Sequence, residues 1–450
     1  MPDIAPLRGI LYDPARVDPA KVIAPPYDVI DAAERARLAA ADPHNVVRLI
    51  LPEADAATPE GAAAGAGGDR YAAAARTLDA WLAAGVLRRD PYRAVYRYHQ
   101  VFRHADLGDR EITRAGFIAA VRLHPFSDRV ILPHERTLAA PKQDRLALMQ
   151  ATSAHLSQIF TLYRDAAGEA DRLFRKAERE APTLEARTAD GTLHRLWRVS
   201  DAEAIGKLRH VMAPKKLYIA DGHHRYETML ALREHLEARG ALSTYSSAQY
   251  GTMFLCSVDQ PGLVVLPTHR VLHGLATFAP AAFLDAARAH FLVDKIDGAG
   301  RDPAAVRAAL ASTEQHQPAI VMALPGEAHG WRLTLAPHVN VKTLGLGAPA
   351  VARLDVTLLH GLVFERLLGM TAAAQEAQTH LRYVKDTALA LAETATPGTQ
   401  AVFLMSPVPV EQVMHVADVG DVMPQKSTYF FPKLASGLVI NRIDPDEDLV

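Results

Sequence analysis

Leu217-Tyr218-Ile219-Ala220-Asp221-Gly222-His223-His224-Arg225-Tyr226-Glu227-Thr228 is the stretch from which the rest of the chain is best read. The apolar run 217–220 meets an Asp-Gly turn, and a helical pattern follows from Tyr226 to Arg239. The order is strand, tight loop, helix. Such a loop presents the first amides of a helix, which lack intrahelical acceptors and carry the positive end of the helix dipole. Phosphate and carboxylate are the ligands this suits. Gly222 lets the backbone approach a ligand, and Arg225 offers a planar fork for phosphate oxygens. His223 and His224 can donate hydrogen bonds or move a proton near neutral pH, while Asp221 can orient an imidazole, hold hydrated magnesium or act as a base. A blander role is also open, with the histidines capping a helix and Asp221 closing an Asx-turn. Zinc on His223, His224 and Glu227 is disfavoured, because HHxxE lacks the four-residue spacing that puts two histidines on one helical face.

Two further clusters carry chemistry. Leu132-Pro133-His134-Glu135-Arg136-Thr137, followed by Lys142 and Asp144-Arg145, offers Glu135 as a general base held among cations. Met423 to Lys433 offers Lys426 and Lys433, with the hydroxyls of Ser427 and Thr428, as anion contacts; Phe430 and Phe431 read as core. Tyr27, Asp28, Asn45, His269 and Arg270 are lesser candidates, for each of which a structural role reads equally well.

Outward from these motifs, the pattern predicts helices over 31–41, 69–84, 144–156, 169–180 and 354–368. Strands are expected over 46–51, 92–102, 112–123 and 159–163, and 250–258 and 263–266 read as a strand pair. Residues 53–68 read as an Ala/Gly-rich loop, and 280–345 as a mixed subdomain. No repeat of fixed period occurs. The expectation is a mixed α/β (α+β) protein in three regions: 1–125, 126–275 with the PHE and DGHHR motifs, and 276–450 with the KSTYFFPK motif.

Composition narrows the function classes. The chain has 450 residues, 49% apolar and 22% charged, which fits a folded multidomain protein. A formal charge of −2 gives no overall field for nucleic acid, so no nucleic-acid partner is implied. The single cysteine, Cys256, allows no intrachain disulfide. Without a signal-like start or an apolar run of about 18 residues, the expected location is the cytoplasm, with no membrane partner.

APPYDVI at 24–30, NVVRLI at 45–50, LPHERT at 132–137, YIADGHHRYET at 218–228, PTHRVL at 267–272 and MPQKSTYFFPKLASGLVIN at 423–441 together resemble the prokaryotic family called domain of unknown function 1015. The pair PHE and DGHHR is more distantly similar to archaeal free-serine kinases and, through them, to the ParB and sulfiredoxin superfamily. That resemblance implies a ParB/sulfiredoxin-like core with additional domains or insertions. It also implies phosphate binding by Gly222 to Arg225 and a base role for Glu135. Sulfiredoxin chemistry is disfavoured, since His223 stands where its cysteine would follow the glycine. The reading that follows is a nucleotide-dependent phosphotransferase acting on a small, possibly serine-like, hydroxyl metabolite. ATP or ADP and Mg²⁺ are the expected cofactors and a small phosphate-bearing molecule the partner. A nucleotide-binding switch or NTPase, and a noncatalytic phospho-metabolite binder, remain alternatives.

Overall fold

The computed structural model describes residues 1–53, 68–135, 139–311 and 317–449. Residues 54–67 of the expected loop, and Arg136 and Thr137 of the second cluster, lie outside them. The fold is mixed α+β, organised around two large sheets.

The first sheet runs Ile131–Leu132, Leu217–Asp221, Ile159–Tyr163, Tyr250–Ser257, Ile112–Arg122, Val95–Phe102, Leu193–Val199, Leu184–Arg187, with Ile4–Ala5 pairing alongside one end of Ile112–Arg122. Two pairings are parallel, Leu217–Asp221 with Ile131–Leu132 and Tyr250–Ser257 with Ile159–Tyr163; the others are antiparallel. Every residue of Tyr250–Ser257 is buried, as expected of a strand covered on both faces. The two-residue side-chain period divides the key strand: Leu217 and Ile219 pack with Tyr226 and Met229 of the helix His223–Glu237, while Tyr218 and Ala220 face the larger core on the other side.

That larger core joins the two sheets. Phe160 and Phe254 of the first share it with Leu272, Ile320 and Phe403 of the second. The second sheet is wholly antiparallel, in the order Phe291–Ile296, Gly330–Leu335, Ala319–Ala323, Thr399–Met405, His269–His273, Leu381–Val384. Between the sheets run Met423, Phe430, Leu438 and Val439, so the C-terminal motif is threaded through the interior.

Four local expectations differ. Residues 46–51 are not a strand: Val47–Ile50 is a helical turn, because Asn45 Oδ1 accepts from the Val47 amide at 2.9 Å and its Nδ2 donates to Lys21 O at 2.7 Å. This local hydrogen bond overrides the β preference of the paired valines. Residues 250–258 and 263–266 do not pair with each other; Val264–Leu266 instead pairs with Tyr429–Phe431, a long-range partner that local pattern cannot reveal. The exposed helix expected at 169–180 is reduced to Glu169–Arg172 and a 3₁₀ turn at Ala177–Arg179. The 354–368 helix exists, but beyond Asp355–Thr357 it is wound as a π-helix over Leu358–Leu367 before Gly369 turns the chain at φ 69°.

Candidate functional site

Leu217–Asp221 ends on the DGHHR loop, and Gly222, at φ 94°, makes the left-handed turn into the 15-residue helix His223–Glu237. The first intrahelical bond runs from the Tyr226 amide to Gly222 O at 2.9 Å, so the preceding amides form the helix's unpaired end. A β-carbon at Gly222 would stand 3.1 Å from the Arg225 guanidinium.

Arg225 is buried and engaged from both sides. Nη2 donates to Asp221 Oδ2 at 2.6 Å and Nη1 to Gln158 O at 2.6 Å. It lines a cavity of only about 40 Å³ with Tyr27 and Arg145. The other oxygen of Asp221 accepts from Lys433 Nζ. Burial raises the Asp221 pKa, but Lys433 and then Arg225 outweigh it and hold the carboxyl well below its ordinary range. Asp221 is thus an ionised anchor between two cations, a poor base.

The histidines pack through His134. Its Nδ1 contacts Ile219 O at 2.7 Å, and the carbonyl can only accept, so Nδ1 carries the proton and Nε2 accepts from Thr428 Oγ1 at 3.0 Å. Its backbone amide donates to His223 Nε2 at 3.3 Å, and the two imidazoles meet edge to face with centroids 4.7 Å apart. Burial pushes the His134 pKa down to about 4; burial, reinforced by His134, puts His223 well below its ordinary value. Both are neutral near pH 7. His224 is less enclosed, and its pKa is lowered by partial burial against the opposing field of Glu227.

Glu135 meets the C-terminal motif. It forms a parallel bridge with Met423, whose amide donates to His134 O at 2.8 Å, and its carboxylate accepts from the Lys426 backbone. Burial raises its pKa to about 7, although Lys426 and Lys433 pull it the other way. Lys426 has φ 58° and an exposed side chain, and its carbonyl accepts from buried Arg270 at 3.1 Å. Ser427 is buried and donates to Pro424 O, so it shapes the loop. Lys433 is fixed through its own backbone: its carbonyl accepts from Gln100 Nε2 at 2.9 Å, and buried Arg114 donates to the carbonyls of Phe431, at 3.1 Å, and Pro432.

Lys385, not anticipated from sequence, completes the cluster. Its Nζ lies 4.1 Å from the centroid of the Tyr429 ring, and Lys433 Nζ lies 4.9 Å from the same centroid. Burial lowers the Lys385 pKa to about 8, and the fields of Lys433 and Lys426 add to the effect. Among the described residues neither Lys385 nor Lys426 forms an ion pair. Asp28 is exposed and contributes field at Lys385, whereas Asn45 and His269 serve locally: His269 Nδ1 accepts from the Met405 amide at 3.2 Å.

The family described as "Protein of unknown function (DUF1015)" matches residues 4–357. The chain belongs to this family. The DUF1015 match takes in the whole first sheet, Glu135 and the DGHHR loop; Lys385, Lys426 and Lys433 lie beyond it. No curated protein matches the chain. Among solved structures, a free serine kinase variant in complex with AMP aligns at 10% identity, covering 74% of this chain and 94% of its own, with a TM-score of 0.37. A conserved hypothetical protein from Pyrococcus furiosus aligns at 12% identity over 72% and 95%, with a TM-score of 0.35. SbnI from Staphylococcus aureus, C-terminally truncated, aligns at 11% identity over 74% and 90%, also at 0.35. No helix among the described residues is long and apolar enough to cross a membrane.

Proposed function

We propose that this DUF1015 protein is a nucleotide-dependent phosphotransferase acting on a small hydroxyl metabolite, with the phosphates held over the N-terminus of the His223–Glu237 helix. The observation that carries the reading is convergence: Glu135, Asp221, Lys385, Lys426 and Lys433 come from widely separated segments yet share one electrostatic neighbourhood. Asp221 pairs with Lys433, but among the described residues Lys385 and Lys426 have no ion-pair partner, and their mutual repulsion favours an added anion.

In this reading Lys385, Lys426, Lys433 and the loop amides bind the phosphate oxygens. Asp221 and Arg225 hold the loop, and Lys433 is aimed by Asp221 through their contact. Glu135, poised near pH 7, takes the proton from the acceptor hydroxyl as its oxygen bonds to the terminal phosphorus. The bond from phosphorus to the bridging oxygen breaks, and the shortened nucleotide leaves with that electron pair. Both Asp221 oxygens are occupied by cations, so this carboxylate does not fit as a magnesium ligand. Magnesium would have to arrive on the nucleotide.

The test is thermal stabilisation of the purified protein by ADP and ATP, with and without Mg²⁺, followed by phosphate transfer to a panel of hydroxyl acceptors. Nucleotide that binds only the folded state raises its stability by mass action. Absence of any nucleotide-dependent shift would overturn the reading.

A further inference from the structure

Beside Lys426 opens a cleft of about 740 Å³, within the usual range for a small-molecule site. The turn Asp355–Thr357 and the π-helix Leu358–Leu367 supply part of its lining, and residues 420–422 and 424–426 supply another part. Two polar atoms of the helical part, Thr357 Oγ1 and His360 Nε2, are buried and have no hydrogen-bond partner among the described residues. Thr357 is only 5% exposed. Native structures rarely leave such atoms unsatisfied, and here both belong to residues lining the same cleft.

The tautomer of His360 follows from its neighbour. The Gln375 amide nitrogen donates to the carbonyls of His360, at 3.2 Å, and Met370, at 3.0 Å, which identifies Oε1 as the atom facing His360 Nδ1 at 2.7 Å. An amide oxygen only accepts, so Nδ1 carries the proton and Nε2 presents a lone pair. Burial holds the ring neutral, with its pKa lowered to about 3, and the nearby Arg270 cation acts in the same direction. That cation also disfavours an ammonium donor at Nε2. An uncharged O–H is the complementary group, and Thr357 can both donate to and accept from a second hydroxyl. Leu346 and Val351 give the cleft an apolar side, matching the carbon face of a polyol or sugar.

We infer that this cleft is the acceptor subsite and takes a polyhydroxylated small molecule, one hydroxyl donating to His360 Nε2 and another pairing with Thr357. The inference rests on the phosphotransfer reading only in calling the occupant an acceptor; the pocket's preference for hydroxyls stands on its own atoms. Lys426 and Arg270 connect the two places, since Arg270 binds the Lys426 carbonyl and acts on both Glu135 and His360.

The test is binding of glycerol, D-ribose, D-glucose and myo-inositol to the full chain, followed by calorimetry and by ¹⁵N NMR of the histidine rings. The expected result is that at least one polyol binds and shifts the unprotonated His360 Nε2 resonance. Binding should weaken at least about tenfold in His360→Phe and measurably in Thr357→Val, while ADP affinity stays within about twofold in both. Thr357→Val removes a hydroxyl that has no partner among the described residues, so the unliganded variant should be as stable as the natural protein, which separates a ligand contact from a structural one. Failure of every polyol to bind, or binding that both variants leave unchanged, overturns the inference. Polyol binding without ADP binding would instead overturn the phosphotransfer reading and leave the hydroxyl pocket in place.

Discussion

Replacing Glu135 by Gln should change how stability depends on pH, because burial moves this carboxyl from its ordinary 4.5 to about 7. Below pH 4.5 the folded and unfolded chains both keep the proton. Between there and 7 the unfolded chain releases it while the folded chain holds it, so the contribution of this group to stability falls as pH rises. Above 7 the loss is complete, and a displacement of this size corresponds to about 3 kcal/mol. Gln cannot ionise, yet its oxygen can still accept from the Lys426 backbone. Glu135→Gln should therefore match the natural protein near pH 4.5 and exceed it by about 3 kcal/mol near pH 8.5, read from paired urea denaturation curves. If Glu135 is also the base, phosphotransfer should fall about 10²–10⁴-fold with nucleotide affinity nearly unchanged. Denaturation curves whose separation does not change with pH would refute the burial argument. A pH-dependent separation with full turnover would leave the burial intact and remove the base assignment.

Asp221→Asn leaves Arg225 and Lys433 without their shared counter-charge, and should cost about 3–5 kcal/mol, as for other buried pairs broken on one side; a change below about 1 kcal/mol in urea denaturation would contradict this. Lys385 loses its charge as pH climbs through about 8, so calorimetric affinity for inorganic pyrophosphate should weaken across that pH in the natural protein. In Lys385→Met the part of that dependence centred near pH 8 should disappear, leaving only the part that follows Glu135 near pH 7; an unchanged profile would mean Lys385 does not face the anion. Gly222→Ala forces a side chain onto φ 94° and brings a β-carbon 3.1 Å from the Arg225 guanidinium, so thermal unfolding should show a loss of more than about 1 kcal/mol.

The DGHHR loop was legible because its signals are local: an apolar run, a glycine suited to positive φ, and helical periodicity after it. For Arg225 the sequence carries a second, structural signal beside the phosphate reading. Asp221 and Arg225 stand four residues apart, the spacing of a salt bridge across one helical turn, and in the structure that pair forms and leaves Arg225 beside a small cavity. Lys385 had no such signal. Between Val384 and Asp386 it reads as an ordinary surface lysine, and it enters the site only because Leu381–Val384 pairs with His269–His273, whose Arg270 reaches the Lys426 carbonyl. Arg114 and Gln100 were equally hidden: they sit on neighbouring strands of the first sheet, and their importance lies in carbonyls 431–433, some three hundred residues away. The three lysines lie in segments far apart in the chain, and a near-neutral composition conceals their meeting. Only the tertiary pairing places them within one another's field, where burial and mutual repulsion already lower the pKa of Lys385 before any ligand is considered. A fold that held such a cluster for stability alone would be expected to pair each ammonium with a carboxylate, as Asp221 does for Lys433; that Lys385 and Lys426 form no ion pair among the described residues is what supports the proposed anion-binding role of the cluster.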